Sequence, residues 1–431
     1  MQREDTDRLL VRTAGLGVFR GVLDSPAARG LLELLGLISQ ERPDPASVAG
    51  TVGRLWEELA VSSEGLLPDA WQSHLVARLL EDENPFSLAA ERYGEPDGAL
   101  REQAAKDLRT LQRLFELDAV TVLELVEDAL PGVTELWTPW MDPGLDTNDS
   151  PRAETAWRLS AEEDWGEATG VLAEHYARHG AGVFGQYRMF RWRAGNLEPV
   201  EEPDPVRLEE LGGYEKERQP LISNTRRLLA GLPAHHALVY GPPGTGKSST
   251  VKAVINELSD KGLRAVEVAK EDLGELPAVL ALLRRRGPRF VLFVDDLSFE
   301  EHEVEYKALK ALLEGSLEAP PENVRLYATS NRRNIVRESF SDRDGDDVHG
   351  GDSAQEKVSL AARFALRLTF LAPDQQRYLR MVRGLARSRG LALRESELEE
   401  RALLWDRRHA GRSGRTARQF VDELEAELAG V

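Results

Sequence analysis

The sequence contains one stretch that decides its fold: Gly241-Pro242-Pro243-Gly244-Thr245-Gly246-Lys247-Ser248. Strand-like residues 235–240 precede it and helix-like residues 249–258 follow it, which is the setting that the pattern G-x-x-x-x-G-K-[ST] requires. Glycines allow backbone N–H groups to turn inward around phosphate oxygens, and the start of the following helix adds positive potential. The stretch therefore predicts a phosphate-binding loop in a nucleotide-binding protein.

Three side chains at the end of this loop have predicted roles in binding. We expect Lys247 to reach the β- and γ-phosphates and the Ser248 hydroxyl to ligate Mg²⁺. Ser249, the next residue, completes the predicted nucleotide-binding set.

Composition excludes several classes of protein. The chain has 431 residues, enough for two or three domains, and 41% of them are hydrophobic, so it should fold. Its 55 basic and 74 acidic residues give a net charge of −19, which disfavours non-specific binding to nucleic acid or to anionic membranes. The absence of cysteine excludes disulfides, thiolate zinc sites and cysteine nucleophiles.

The beginning of the chain bears on its location. Residues 1–8 are charged and lack the apolar core of a signal peptide. No apolar run in the sequence reaches membrane-spanning length. We therefore expect a soluble, cytoplasmic protein that has no contact with a membrane.

Periodicity predicts four segments along the chain. Residues 1–195 have helical apolar spacing and predict an all-α N-terminal domain of unknown role. Residues 196–205 hold three prolines among acids and predict a linker. Residues 206–372 are predicted to form the nucleotide-binding core, and residues 373–431 a helical lid. Six of the eight tryptophans lie between Trp56 and Trp165, and we interpret them as large core residues.

The core segment predicts an α/β fold. Five apolar runs read as buried strands separated by helical stretches, namely residues 237–240, 264–268, 290–294, 325–328 and 365–370. Strands that alternate with helices favour a parallel five-stranded sheet covered on both faces.

Paired acids follow the strand at residues 290–294. The carboxyl edge of a parallel sheet is where ligands bind, so Asp295 is expected to hold Mg²⁺, directly or through water. Asp296 is the candidate base that orients an attacking water. The alternative is a strand that ends in two solvated acids.

An asparagine follows the next predicted strand. Asn331 is expected to hydrogen-bond the γ-phosphate or the attacking water, because the order of elements places it beside the triphosphate. The alternative is an asparagine that only satisfies a turn.

The order of these motifs, with a helical lid after them, resembles that of the AAA+ ATPases. Over roughly residues 206–425 the chain is similar to a bacterial group catalogued as domain of unknown function 815. Four segments carry this resemblance: residues 211–214 (Leu-Gly-Gly-Tyr), residues 294–301, residues 328–333 and residues 411–420.

The resemblance implies ATP with Mg²⁺ as ligands and assigns further roles. Asn331 would be the sensor-1 residue, and Arg415 the sensor-2 arginine that reads the γ-phosphate from the lid, with Arg418 as the alternative. Arg363 would be the finger inserted into a neighbouring subunit's site, which implies a homo-oligomer. A planar guanidinium suits these roles because it pairs with two phosphate oxygens.

The resemblance also places Gly212, Gly213 and Tyr214 near the adenine. One departure concerns Asp296, since many AAA+ enzymes have glutamate there. The shorter aspartate is expected to hold water less well and to slow hydrolysis. Glu300 and Glu301 are interpreted as solvated acids, and the alternative is that one of them assists Asp296.

Three functions remain open at this point. The first is an ATPase that remodels an unknown partner, for which a protein is favoured over a nucleic acid. The second is a slow ATP-gated switch, loader or adaptor that resembles replication initiators and helicase loaders. The third is a P-loop kinase or nucleotidyl-transferring enzyme with a small-molecule acceptor, which the arginine-bearing lid disfavours.

Two charged segments are given no functional role. Residues 341–352 are interpreted as an acidic insertion, because they lack the glycine and glutamate of a calcium loop. Residues 284–289, with four arginines, are interpreted as a solvated turn.

Overall fold

The structure is a computed structural model that describes residues 3–62, 65–141, 150–298, 309–310, 313, 321–331, 363–409 and 411–429. Glu300, Glu301 and the predicted acidic insertion lie outside the described residues. The chain divides into two compact units, Met1–Gln186 with Arg286–Pro288, and Tyr187–Arg285 with Arg289–Val431. No helix among the described residues has both the length and the apolar composition needed to cross a membrane. The domain limits predicted at residues 195, 205 and 372 stay predictions.

The first unit is built from helices. In the described part of the chain they are α1 (Arg3–Ala14), α2 (Pro26–Ile38), α3 (Pro45–Val61), α4 (Ala70–Glu81), α5 (Pro85–Tyr93), α6 (Gly98–Phe115), α7 (Ala119–Ala129), α8 (Pro151–Ser160), α9 (Thr169–His179) and α10 (Val183–Gln186). Four of them begin with proline directly after a capping residue, Ser25, Asp44, Asn84 or Ser150, whose side chain accepts a first-turn amide. Proline suits that position because its missing N–H would have no helical partner.

The tryptophans of this unit are only partly core residues. Trp71 and Trp165 are 1% exposed and Trp140 is 4% exposed, so the interpretation is confirmed for these three. It is wrong for Trp56, which is 39% exposed, and for Trp157, which is 53% exposed. The Trp157 side chain falls outside the stripe of α8 that buries Ala153, Thr155, Ala156 and Leu159.

Arg286 is also buried in the first unit. Its guanidinium donates to both carboxylate oxygens of Glu91 at 2.6 and 3.0 Å and to Glu83 at 2.7 Å. The guanidinium also lies 4.6 Å from the ring centroid of Phe184. The Glu91 side chain is 0% exposed, and a buried carboxylate requires such a partner. The interpretation of residues 284–289 as a solvated turn is therefore wrong for Arg286.

The second unit contains a seven-stranded sheet with the order β2-β1-β4-β5-β6-β3-β7. Its strands are β1 (Met189–Arg193), β2 (Asn196–Pro199), β3 (Ala237–Tyr240), β4 (Leu263–Val268), β5 (Arg289–Val294), β6 (Val324–Ser330) and β7 (Leu366–Thr369). Every neighbouring pair is parallel except β1 and β2. The predicted α/β class is confirmed, and β3 to β7 match the five predicted strands.

The two additional strands correct the sequence prediction. The stretch from Met189 to Pro199 was assigned to the end of the helical domain and to the linker, but it forms a hairpin on the edge of the sheet. Phe190 and Trp192 are buried and alternate with exposed Arg191 and Arg193, which is the pattern of a half-buried strand. The turn uses Ala194 and Gly195, both at positive φ, and alanine there is a weak turn signal.

The strand register brings the predicted site residues to one edge of the sheet. Tyr240 of β3 pairs with Ser330 of β6, and Val294 of β5 pairs with Ala328 of β6. The carboxyl ends of these three parallel strands therefore lie together. Gly241, Asp295 and Asn331, the residues that follow them, start from that edge.

Helices complete the second unit. Those described are α11 (Glu215–Leu229), α12 (Lys247–Ser259), α13 (Leu276–Leu283), α14 (Gln375–Ser388), α15 (Glu395–Arg408) and α16 (Gly414–Ala429). The last three pack on one another through Tyr378, Val382, Ala402, Phe420 and Val421, each at most 4% exposed. They form the helical segment that was predicted as a lid.

His236 makes the stability of the second unit depend on pH. Its Nδ1 accepts the Leu326 amide at 2.9 Å, and burial lowers its pKa to about 4, with Arg325 and His235 adding to the shift. Its pKa is lower in the folded than in the unfolded chain, so its stabilisation is present above the unfolded pKa and is lost as the pH falls. From about pH 7 to about pH 5 we expect a loss of about 2 kcal/mol from this residue.

The variant His236→Asn retains an acceptor for the Leu326 amide but does not titrate. Urea denaturation of both proteins at the two pH values should show a free energy of unfolding that falls about 2 kcal/mol less in the variant. Equal losses in the two proteins would contradict this assignment. Other titrating groups, including buried His74, are common to both proteins.

Candidate nucleotide-binding site

The phosphate loop joins β3 to α12 in a conformation that depends on glycine. Gly241 has φ of 156°, and a Cβ there would lie 1.9 Å from the Phe370 carbonyl oxygen, so a side chain is excluded. Gly246 caps α12 with left-handed φ of 84°. The first amides of α12 have no partner within the helix, which makes its beginning suitable for an anion.

Lys247 connects the loop to the end of β6. The side chain is only 6% exposed, and its Nζ donates to the carbonyl oxygens of Gly241 and Pro242, both at 2.9 Å. The same atom donates to Asn331 Oδ1 at 2.8 Å. Burial lowers the pKa of Lys247, and the carboxylates of Asp296 and Asp295 oppose that shift. Three oxygen acceptors thus fix the Lys247 ammonium at the end of the loop. Phosphate oxygens can replace them as acceptors.

Ser248 and Asp295 lie together as a metal site would require. Asp295 Oδ1 accepts the Ser248 hydroxyl at 2.6 Å and also the Thr329 hydroxyl. Mg²⁺ is commonly held by one or two carboxylates together with substrate phosphates and water, and this donor set fits it. Among the described residues no group of three or more acids or histidines is arranged to hold a metal ion. A metal here would therefore depend on phosphate oxygens and water for its remaining ligands.

Asp296 and Asn331 form the second pair at this edge. Asn331 Nδ2 donates to Asp296 Oδ1 at 2.6 Å, so Asn331 contacts both Asp296 and Lys247. Asp296 has a backbone φ of 50°, in the left-handed region. For a residue with a Cβ this conformation costs roughly 1–2 kcal/mol. Its amide donates to the Thr329 hydroxyl at 2.9 Å. Such a conformation costs free energy and persists only where the surrounding contacts hold it.

A cavity of about 530 Å³ brings these groups and the lid together. The loop residues from Pro243 to Ser249 line it, as do Asp295, Asp296 and Asn331. Arg415 and Arg418, the two sensor-2 candidates on α16, both line it from the lid side. The lid also touches the loop directly, because the Gly414 amide donates to the Gly244 carbonyl at 2.7 Å.

The cavity also has an apolar lining. Leu211, Gly212, Tyr214, Met381 and Leu385 line it, and together they offer apolar surface for a flat base. The resemblance placed Gly213 near the adenine together with Gly212 and Tyr214. Gly213 does not line the cavity, and its amide donates to the Glu215 side chain at 2.6 Å.

Arg363 is not brought to the cavity. It is exposed and precedes β7 by three residues. The first residue of β7, Leu366, pairs with Ala237, the first residue of β3. Arg363 therefore lies towards the edge of the sheet opposite the phosphate loop, away from the other predicted catalytic residues of the same chain.

Thr329 and Arg218 are among the cavity residues that were not predicted from the sequence. Thr329 is 1% exposed, is the next-to-last residue of β6, and lies two residues before Asn331. Arg218 is 6% exposed, lines the cavity, and donates to the Leu211 carbonyl. The helical spacing of Arg218, Leu221, Thr225 and Leu228 was a usable signal, since it places the arginine on the buried face of α11.

Comparisons with known proteins identify a family and several partial relatives. A family model described as protein of unknown function (DUF815) matches residues 185–428. The proteasome-activating nucleotidase of Methanocaldococcus jannaschii is 32% identical over 126 residues, which are 25% of this chain and 28% of that protein. The 26S proteasome regulatory subunit 6B homolog of Schizosaccharomyces pombe is 34% identical over 116 residues, which are 23% of this chain and 29% of that protein. The chain thus spans under a third of the length of these two relatives.

A solved structure is similar over a longer stretch but more weakly. The Holliday junction branch migration motor RuvB of Thermotoga maritima is 19% identical, with a TM-score of 0.37. The matched region covers 52% of this chain and 66% of that one.

Proposed function

We propose, from the premise that the chain belongs to the family described as protein of unknown function (DUF815), that it binds ATP with Mg²⁺ and hydrolyses ATP to remodel an unknown partner. The family model covers more than half of the 431 residues. All of the residues that form the candidate site lie within the matched region.

One observation carries the proposal, namely that a single cavity is lined by groups suited to each part of a nucleotide–metal complex. Lys247, Arg415 and Arg418 supply positive charge for the triphosphate. Ser248 and Asp295 supply the hard oxygen ligands that Mg²⁺ prefers. A volume of about 530 Å³ is in the range of small-molecule sites.

The contacts around Lys247 indicate how the site would change on binding. Lys247 would exchange two carbonyl oxygens and Asn331 for phosphate oxygens, which releases Asn331 Oδ1. Asn331 and Asp296 would then orient a water towards the γ-phosphate, with Asp296 as the base. The lid arginines would stabilise the charge that develops on the phosphoryl oxygens. Bound Mg²⁺, held by Ser248 and Asp295, would neutralise charge on the β- and γ-phosphates.

The second candidate function is an ATP-gated switch with slow turnover. The observation that favours it is the short carboxylate of Asp296, which is already engaged by Asn331 at 2.6 Å. An aspartate in this position has less reach for a water molecule than a glutamate. In that case ATP would act mainly as a conformational ligand that closes the lid onto the loop.

The proposal also concerns the oligomer, the partner and the location of the protein. Arg363 is exposed and away from its own cavity, which supports an action in the site of a second copy of this chain. The partner is proposed to be a protein rather than a nucleic acid, because the net charge of −19 opposes non-specific binding to phosphate backbones. The cytoplasmic location predicted from the sequence stays a prediction.

The two acids allow the proposal to be tested with a matched pair of variants. We expect Asp295→Asn to lose most of the dependence of ATP binding on Mg²⁺, because it removes the carboxylate beside Ser248. We expect Asp296→Asn to bind ATP with Mg²⁺ within about 3-fold of the unaltered protein and to lose turnover by about 100-fold or more. Titration calorimetry and phosphate release measure the two effects.

The outcomes separate the two functions. Measurable turnover in the unaltered protein that Asp296→Asn abolishes supports the ATPase. Tight binding with negligible turnover supports the switch. Equal effects of the two substitutions on Mg²⁺ dependence and turnover would contradict the division of roles between the acids.

Mixing experiments test the role of Arg363. Arg363→Ala and Lys247→Ala should each be inactive alone, and an equal mixture should regain part of the turnover. The reason is that a Lys247→Ala subunit would offer its intact Arg363 to the intact site of an Arg363→Ala neighbour. Arg367→Ala, which removes an exposed arginine on adjacent β7, is the matched control and should retain turnover. A mixture with no activity above that of its components would contradict a role of Arg363 between subunits.

A further inference from the structure

Asp295 and Asp296 are consecutive residues, yet both line the same cavity. Successive side chains of an extended strand point to opposite faces, so a straight continuation of β5 would present only one of them. The chain departs from this geometry at Asp296, whose φ of 50° is left-handed. Placing two acids in one cavity therefore depends on whatever holds Asp296 in that conformation.

Thr329 supplies the contacts that hold it. This residue lies on β6 beside the end of β5, and it is 1% exposed. Its hydroxyl proton is donated to Asp295 Oδ1, so its oxygen is the acceptor for the Asp296 amide at 2.9 Å. Its carbonyl oxygen accepts the Leu297 amide at 2.7 Å. One threonine thus bonds three successive residues across the bend.

We propose that Thr329 is the positioning residue of this site, which fixes the bend at Asp296 and directs both carboxylates into the cavity. This inference rests on the proposed function, because it assigns Asp295 to Mg²⁺ and Asp296 to the attacking water. Thr329 acts only through these two acids.

The proposal accounts for a buried hydroxyl at the carboxyl end of β6. Without the hydroxyl, the Asp296 amide retains only a longer bond of 3.1 Å to Asp295 Oδ1. Asp296 would then relax towards an extended conformation, and its carboxylate would leave Asn331. Asp295 would lose one of the donors that orient it beside Ser248.

Three variants of the full chain test the proposal. Thr329→Val removes the hydroxyl at almost constant volume, and Thr329→Ser retains it. Thr225→Val is the matched control, because Thr225 is a fully buried threonine of the same unit whose hydroxyl bonds the Leu221 carbonyl and the Tyr327 hydroxyl, both at 2.8 Å. Thermal unfolding of each variant reports its stability.

We expect Thr329→Val to lower the rate of phosphate release by about 10-fold or more while the affinity for ATP without Mg²⁺ stays within about 3-fold. The Mg²⁺ concentration for half-maximal ATP binding should rise by about 5-fold or more. Thr329→Ser should restore both quantities. Thr225→Val should alter neither, although it lowers the unfolding temperature. In an Asp296→Asn background, Thr329→Val should cause little further loss of turnover, since the threonine acts on turnover mainly through Asp296.

Two results would overturn the proposal: a Thr329→Val protein with unaltered turnover and Mg²⁺ dependence, or equal effects of Thr329→Val and Thr225→Val. If the unaltered protein binds ATP but does not hydrolyse it, the ATPase is refuted, and the Mg²⁺ dependence alone decides the role of Thr329. If the unaltered protein binds no nucleotide, the proposed function and the proposal both fail.

Discussion

The parallel pairing of β5, β6 and β3 is the constraint on which the rest of the site depends. Because Tyr240 pairs with Ser330 and Val294 with Ala328, the three strands end at the same edge of the sheet. The loop that follows β3, the acids that follow β5 and the asparagine that follows β6 then meet within hydrogen-bonding distance. A change of one residue in this register would reverse the direction of every side chain of the strand concerned.

The cavity at this edge of the sheet contains positively charged side chains, although the whole chain carries a negative net charge. The protein carries a net charge of −19, but Lys247, Arg415 and Arg418 line the cavity. Asp295 and Asp296 line it too, and a metal ion held by Ser248 and Asp295 would neutralise negative charge on the acids and on a triphosphate. The site is therefore suited to a nucleotide–metal complex, whereas the surface as a whole is not suited to polyanions.

Much of this arrangement was predictable because short-range patterns encode it. Runs of apolar residues marked β3 to β7, and the glycine spacing marked the loop. The hairpin at Met189–Pro199 was missed because its turn is Ala194-Gly195 and its second strand is four residues long and mostly exposed. Thr329, Arg218 and Arg286 were missed for a different reason. Each is a polar residue buried by contacts outside its own helix or strand, and spacing along one element only hints at such contacts.

The central claim is that residues at the carboxyl edge of this sheet bind a nucleotide together with a metal ion. Titration calorimetry of the full chain with ATP, with Mg²⁺ and then with the metal removed by a chelator, tests it most directly. The account predicts saturable uptake that weakens without Mg²⁺ and falls by about 10-fold or more in Lys247→Ala, a variant that should remain folded. Absence of Mg²⁺-dependent uptake by the folded protein, or undiminished uptake by Lys247→Ala, would contradict it.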